Sequence, residues 1–288
     1  MAGTSTASEL ASQYGFALAF MQSDPALNAL FNQAVKENWT SAQFQAKLKA
    51  SPWYQKNAES VRQYTLLKTT DPATFNARKQ ALLTQISQRA ASLGAPIPWA
   101  TLSQIADNAL KFNYNDAQIN QTLGSYVKAV NGVYNGQAAT DSDTIRQTAW
   151  RNGVNLSEST VQSWMQQIAE GKSTIGFYQN YVRNMAKTVA PSYATQLDAG
   201  MDLFDIANPY IQAKAKILEK NPADIDLFDP DVRGALSSTG GDGKPSSMSL
   251  WQFEQSMRQK PEWLNTANAN DSIAGIAHKV LADFGFMS

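Results

Sequence analysis

The chain contains no cysteine and a single histidine, and only 17% of its residues are charged. Without cysteine it forms no disulfide and offers no thiolate for redox chemistry or for a zinc finger. The charges of its 24 basic and 24 acidic residues cancel, so the formal net charge is zero at pH 7. This balance argues against a dedicated nucleic-acid-binding protein, which needs clustered Lys and Arg opposite the phosphates.

Long apolar runs are also missing from the sequence. The longest near-apolar stretch, Tyr14 to Met21, is far shorter than the ~20 residues of a membrane-spanning helix. Met1 to Leu10 has no basic residue ahead of an apolar run, so it lacks the pattern of a signal peptide. We therefore expect a soluble protein that is made in the cytoplasm and has no membrane-spanning segment.

Apolar and amide side chains are abundant. The hydrophobic fraction of 43% is too high for general disorder and sufficient for one large domain or two smaller ones. The 24 Gln and 20 Asn together are almost as numerous as the charged residues. This composition favours a folded protein with a polar but weakly charged surface.

The positions of proline indicate where helices begin. Asp or Asn directly before proline favours a helix start, because the side chain caps the first turn and proline at N1 loses no hydrogen bond. The five pairs are Asp24-Pro25, Asp71-Pro72, Asn208-Pro209, Asn221-Pro222 and Asp229-Pro230. Two further pairs, Thr40 with Gln43 and Ser249 with Gln252, have capping-box spacing. With no sustained period-two alternation, the prediction is an all-α fold of about fifteen short helices.

The centre of the chain contains an internal repeat with an offset of 59 residues. Gly94 matches Gly153, and an apolar stripe that includes Ile105 matches one that includes Trp164. Both stripes have the spacing of a helix with one buried face, and both glycines suit left-handed helix ends. We therefore predict two copies of one helix–turn–helix unit, with equivalent backbones and with Ile105 and Trp164 buried.

Three regions follow from this repeat. We expect residues 1–82 to form an N-terminal helical region and residues 191–288 to form a C-terminal helical region. Between them, residues 83–190 form the tandem repeat, whose copies are residues 84–127 and 143–186.

The two ends of the chain resemble each other more loosely. Each contains an Asp-Pro helix start, a capping-box spacing, a phenylalanine and a second proline. The matched residues are Asp24 with Asp229, Thr40 with Ser249, Phe44 with Phe253 and Pro52 with Pro261. The second copy has a longer internal loop, residues 237–247, whose composition predicts flexibility.

Two polar features are candidates for a chemical site. His278 lies in the apolar pattern of the last helix without placeable partners, so we interpret it as structural or solvated. The acidic cluster consists of Asp224, Asp226, Asp229 and Asp231. Phe228 and Asp229 occupy the positions where a calcium loop needs an oxygen ligand and a glycine, so we interpret Asp229 as a helix cap.

Isolated glutamates are the remaining candidates for acid catalysis. A glycosidase needs two carboxyl groups ~5–10 Å apart. Nothing in the sequence pairs any of the four candidates, which are Glu37, Glu59, Glu158 and Glu170. We therefore predict that the protein is not an enzyme and has no catalytic residue, metal or cofactor.

Short sequence phrases at both ends of the chain are distinctive. They are Ile217 to Arg233, Gly243 to Pro245, Ser249 to Glu254, Pro261 to Trp263, Val280 to Gly285, Phe44 to Leu48 and Ser51 to Tyr54. These phrases resemble those of minor tail and tail-lumen structural proteins in tailed phages that infect actinobacteria. The resemblance implies a non-enzymatic virion component that is made in the host cytoplasm. It would act by protein–protein packing in the tail or at its end, against other virion proteins or copies of itself.

Two other functions are alternatives. One is a tail-carried cell-wall (peptidoglycan) hydrolase or its accessory domain. The other is a DNA-contacting internal capsid protein, since Asn115 to Leu123 or Ser157 to Ile168 has the length of a recognition helix. Their exposed positions are mostly Gln, Asn and Ser, so nucleic-acid binding is the weaker hypothesis.

Large aromatic side chains near the C-terminus are the candidate contact residues. They are Trp251, Phe253, Trp263, Phe284 and Phe286. The last helix, about Asp271 to Asp283, carries an apolar stripe, and exposed apolar clusters promote association. We expect this end to fold back on its own domain near Trp251 and Trp263, with contact to a partner as the alternative.

Overall fold

The protein is helical, as the sequence predicts. The structure, a computed structural model, describes residues 7–14, 16–241 and 243–284. Over these residues it is 73% helical, with 17 α-helices and three short 3-10 helices at Pro191–Tyr193, Pro222–Asp224 and Pro261–Asn265. The α-helices are α1 (Ala7–Gln13), α2 (Leu18–Met21), α3 (Pro25–Lys36), α4 (Ser41–Ala50), α5 (Pro52–Lys56), α6 (Glu59–Thr70), α7 (Pro72–Leu93), α8 (Trp99–Phe112), α9 (Asp116–Gly124), α10 (Gly136–Arg151), α11 (Glu158–Ala169), α12 (Ile175–Val189), α13 (Ala194–Asp198), α14 (Leu203–Ile217), α15 (Pro230–Leu236), α16 (Leu250–Arg258) and α17 (Ala267–Asp283).

Three of the five predicted Asp-Pro and Asn-Pro starts are confirmed as α-helix starts. Asp24, Asp71 and Asp229 cap α3, α7 and α15, and each carboxylate accepts from backbone N–H groups of the first turn. Asn221 caps only the 3-10 helix Pro222–Asp224. Both predicted capping boxes, at the starts of α4 and α16, are present with both of their hydrogen bonds.

The prediction that Asn208-Pro209 starts a helix is wrong. Pro209 lies inside α14, which begins six residues earlier at Leu203. The side-chain oxygen of Asn152 accepts from the Leu203 N–H at 3.1 Å, and Arg151 binds the preceding Asp202 at 2.6 Å. Contacts distant in sequence therefore start this helix, and the local capping pattern does not decide it.

One small hairpin forms in the loop that its composition predicts to be flexible. Strand β1 (Ser238–Thr239) pairs antiparallel with β2 (Pro245–Ser246). The Gly240 N–H donates to the Lys244 carbonyl at 2.8 Å across the turn. The loop therefore contains a short stretch of regular structure, although each strand is only two residues long.

The two copies of the central repeat have the same local structure. Helices α8 and α11 begin at residues 99 and 158, and α9 and α12 begin at residues 116 and 175, so both pairs keep the offset of 59. The turns before α8 and α11 also match. Ala95 N donates to Ala90 O and Val154 N to Ala149 O, both at 2.9 Å.

The predicted conformations within the repeat are confirmed as well. Gly94 and Gly153 both have positive φ, of 80° and 64°. A Cβ on Gly94 would lie 1.9 Å from the Asn135 carbonyl oxygen, so the backbone packs too closely there for any other residue. Ile105 and Trp164 are both buried.

The looser repeat between the two ends is a matched structural motif. Helices α4 and α16 begin 209 residues apart, as do α5 and the 3-10 helix at Pro261–Asn265. Phe44 and Phe253, at the same offset, are both buried. Tyr14 stacks on Phe44 with ring centroids 4.5 Å apart, and Tyr210 meets Phe253 edge-on at 5.3 Å.

The same motif is held by matched hydrogen bonds. The hydroxyl of Tyr14 donates to the Trp39 carbonyl at 3.1 Å, and that of Tyr210 donates to the Met248 carbonyl at 2.6 Å. Trp39 and Met248 each directly precede a capping box. Their own N–H groups donate to buried alanines near the ends of α3 and α15, at 3.0 and 2.8 Å. At each end of the chain, a tyrosine thus donates a hydrogen bond to the residue that precedes a capped helix.

The described residues form two compact units. The first comprises the chain up to Ala138 together with Ala169–Lys172, and the second comprises Ala139–Ile168 and the chain from Ser173 onward. These limits differ from the three regions drawn from the sequence, and α7 is continuous across residues 82 and 83.

Candidate interaction surface

The last helix, α17, exposes an apolar face along its length. Five side chains at helical spacing are between 43% and 74% exposed: Ile273, Ile276, Val280, Leu281 and Phe284. Ala269 is the buried residue of this helix. The expectation that this end folds back on its own domain is therefore wrong for the described residues. The remaining tail residues, with Phe286, lie outside them.

The first turn of α17 is nevertheless firmly held. Thr266 caps it by accepting from the Ala269 N–H at 3.1 Å. The carboxylate of Glu219, which follows α14, accepts from the N–H groups of Ala267 and Asn268 at 3.0 and 2.8 Å. A carboxylate at a helix N-terminus also interacts favourably with the helix dipole. The helix is thus anchored at one end while its apolar face stays exposed.

The predicted contact residues fall into different environments. Trp251 on α16 is 68% exposed, whereas Phe253, two residues later, is buried against Tyr210. Residues two apart on a helix point to nearly opposite sides, so one faces solvent and the other the core. Trp263 is half-buried, and Phe284, which directly follows α17, is exposed. Phe253 is therefore a core residue and not part of an exposed surface.

Two of the four isolated glutamates, Glu37 and Glu158, lie in settings that favour their charged forms. Hydrogen bonds from Gln33 and Trp39 lower the pKa of Glu37, and a two-armed hydrogen bond from Arg146 lowers the pKa of Glu158. Glu170 pairs with Lys172 at 2.5 Å, and Glu59 accepts from Gln63 at 3.0 Å. A general acid needs a raised pKa, so Glu37 and Glu158 are shifted in the opposite direction.

Two carboxylates of the acidic cluster, those of Asp229 and Asp231, bind a lysine that sequence reasoning missed. Lys214 is buried, and its Nζ donates to both oxygens of Asp229 at 2.8 and 2.6 Å and to Asp231 at 2.6 Å. Burial alone would lower the pKa of Lys214, but the bonds to these two carboxylates raise it above its ordinary value. Asp229 also caps α15, as predicted. The helical periodicity of the sequence could have indicated that Lys214 is buried, because it lies on the same helical face as Tyr210 and Ile211.

A second ion network joins the repeat to α14. Asp202 accepts from Arg151 at 2.6 Å, from Asn152 at 3.0 Å and from Arg183 at 3.4 Å. Burial would raise the pKa of Asp202, but these donors lower it below its ordinary value. The charged carboxylate is therefore the form that the fold stabilises.

This network predicts a specific pH dependence. Because the pKa of Asp202 is lower in the folded state than the ~3.9 of an unfolded Asp, its stabilising effect is present above that pH and is lost on acidification. We expect Asp202→Asn to destabilise the protein by about 1.5–3 kcal/mol at neutral pH. The difference from the wild type should shrink progressively below about pH 4. Denaturant titrations of both proteins over a pH series measure this difference in unfolding free energy.

A matched control is the exposed ion pair between Asp198 and Lys187. Asp198→Asn should change the unfolding free energy by less than about 1 kcal/mol, as exposed pairs do. A difference between Asp202→Asn and the wild type that is constant from neutral to acidic pH would contradict the proposed role of the carboxylate charge.

Comparisons with known proteins place the chain in no group. No family model matches it, and no curated protein or solved structure is significantly similar to it.

Among the described residues, no group of three or more His, Cys, Asp or Glu side chains is arranged to hold a metal, and His278 is exposed. In the same part of the chain no helix combines the length and apolarity needed to cross a bilayer.

Proposed function

We propose that the protein is a non-enzymatic structural component of a phage virion, which packs against other virion proteins through the apolar face of α17. The observation that carries the proposal is the exposed stripe from Ile273 to Phe284 on an anchored helix. A contiguous exposed apolar surface of this kind is typical of a protein–protein contact. The phage location is supported by the resemblance of the sequence phrases described above.

The N-terminal motif indicates what kind of partner fits this face. Helix α6 lies at the same place in that motif as α17 in the C-terminal one, and at the offset of 209 Tyr64 and Leu67 match Ile273 and Ile276. In the first unit α6 packs against α7 and α8, and the Tyr64 ring meets Phe75 of α7 at 5.2 Å. The corresponding face of α17 therefore suits an apolar helix, supplied by another virion protein or by a further copy of this chain.

Substitutions on the exposed stripe test the proposal. Ile276→Asp and Val280→Asp replace exposed side chains, so each should change the unfolding free energy by no more than about 0.5 kcal/mol. A charge in the centre of an apolar contact should nevertheless prevent assembly. Thermal melting measures the first effect. Mass spectrometry of purified virions from a phage that carries the variant measures the second.

The control is His278→Asp, which adds a carboxylate on the other side of the same helix. It should assemble like the wild type. Normal incorporation of Ile276→Asp into virions would overturn the proposal. A loss of stability as large as that of a core substitution would show that this face is packed within the chain.

A further inference from the structure

An open cleft between α11 and α12 is lined by aromatic side chains. It has a volume of about 440 Å³, and Trp164, Phe177, Tyr178 and Tyr181 line it. Trp164 stacks on Tyr178 with centroids 4.4 Å apart, and Tyr181 meets Trp164 edge-on at 5.7 Å. Phe177 and Tyr181 remain 58% and 49% exposed. The cleft thus presents aromatic surface to solvent.

The other copy of the repeat shows that the fold does not need these exposed rings. At the offset of 59, Phe177 corresponds to Gln118 and Tyr181 to Thr122. Gln118 completes a capping box with Asn115 at the start of α9. Phe177 occupies the same position in α12 and has no group that can do this. The second copy therefore carries exposed aromatic surface where the first carries a stabilising polar cap.

The polar groups of the cleft are uncharged. Besides the aromatic residues, its polar lining residues are Asn155, Thr160 and Gln167, and none of its lining residues is charged. The Gln167 side-chain oxygen accepts from the Tyr178 hydroxyl at 2.9 Å, and its nitrogen donates to Ser163 at 3.2 Å. These bonds orient one planar amide beside the aromatic surface. A site without cations does not suit a phosphate or a nucleic acid.

The geometry points to a site for a neutral saccharide chain in this cleft. A pyranose ring has an apolar C–H face that packs on an aromatic ring, and equatorial hydroxyls that hydrogen-bond with planar amides. Phe177 and Tyr181 supply the rings, and Asn155 and Gln167 supply the amides. The volume falls within the ~300–1,000 Å³ of small-molecule sites. This site is formed by other residues than the α17 face, so it goes beyond the proposed function and does not depend on it.

The experiment exchanges residues between the two copies of the repeat. The full-length chain, labelled with ¹⁵N, is titrated into the millimolar range with the β-1,4-linked tetrasaccharides of glucose and of N-acetylglucosamine. We expect at least one of them to shift backbone resonances of α11 and α12. The double variant Phe177→Gln, Tyr181→Thr carries the residues that the first copy tolerates, so it should fold and bind at least about tenfold more weakly. Trp251→Ala, which removes an exposed aromatic residue outside the cleft, should bind like the wild type.

Several outcomes would overturn the inference. One is the absence of binding by either tetrasaccharide in the millimolar range. Another is equal binding by the double variant, with folding verified by circular dichroism. A third is that a tetraproline peptide binds through Phe177 and Tyr181 while the saccharides do not, because aromatic grooves also accept proline-rich segments.

Discussion

Replacing Lys214 with alanine is expected to lower the free energy of unfolding by about 3–5 kcal/mol, the range seen when one partner of a buried ion pair is removed. The Lys214 ammonium lies within 2.6–2.8 Å of oxygens from Asp229 and Asp231. Without it, two carboxylates face each other in a largely buried site. The loss should be near the lower end of this range, because Lys260 still pairs with Asp231 at 2.7 Å.

Two variants separate charge from packing at this position. Lys214→Met keeps most of the buried volume but leaves the carboxylates without the lysine, so it should be nearly as destabilised as the alanine variant. Lys216→Ala removes an exposed lysine from the same helix and should change the stability by less than about 0.5 kcal/mol. Denaturant titrations followed by circular dichroism compare the three. A Lys214→Met variant as stable as the wild type would contradict an electrostatic role for Lys214.

Local sequence predicts those parts of the fold that are decided locally. Asp24, Asp71 and Asp229 cap helices, and Thr40 and Ser249 form capping boxes, because each interaction spans only two or three residues. The offset of 59 likewise predicts the positive φ of both turn glycines. An all-α fold follows from these patterns together.

The missed features depend on residues distant in sequence. The start of α14 is set by Asn152, about fifty residues earlier, so Asn208-Pro209 gives a false signal. Lys214 can be buried because Asp229 and Asp231, fifteen and seventeen residues later, accept hydrogen bonds from its ammonium group. Capping patterns contain no information about such pairings.

The candidate surface illustrates a different limit. The apolar spacing of α17 predicts that one face is buried, but not whether its partner belongs to the same chain. In the N-terminal motif the partner of the corresponding helix α6 follows directly in sequence as α7 and α8. No such helices cover α17 in the described residues. Periodicity identifies the face, and only the three-dimensional arrangement shows that it is exposed.

Replacing Trp164 with alanine is the second substitution with a large expected effect, a loss of about 3–5 kcal/mol. Trp164 is buried on α11, with Tyr178 stacked on its ring and Tyr181 at its edge. Its removal leaves a cavity and two aromatic contacts without a partner. Ile105 lies at the matching position of α8, and Ile105→Ala should lower the free energy of unfolding by about 2–5 kcal/mol.

The repeat also supplies the sharper comparison for this prediction. Trp164→Ile introduces the residue that the first copy carries at the equivalent place, so it should leave a smaller cavity and lose less stability than Trp164→Ala. Trp251→Ala removes an exposed tryptophan from the same unit and should change the stability by less than about 0.5 kcal/mol. Denaturant titrations give all four values. A loss below about 1 kcal/mol for Trp164→Ala would mean that the cavity collapses and that this ring does not organise the unit, because core substitutions of this size normally exceed that value.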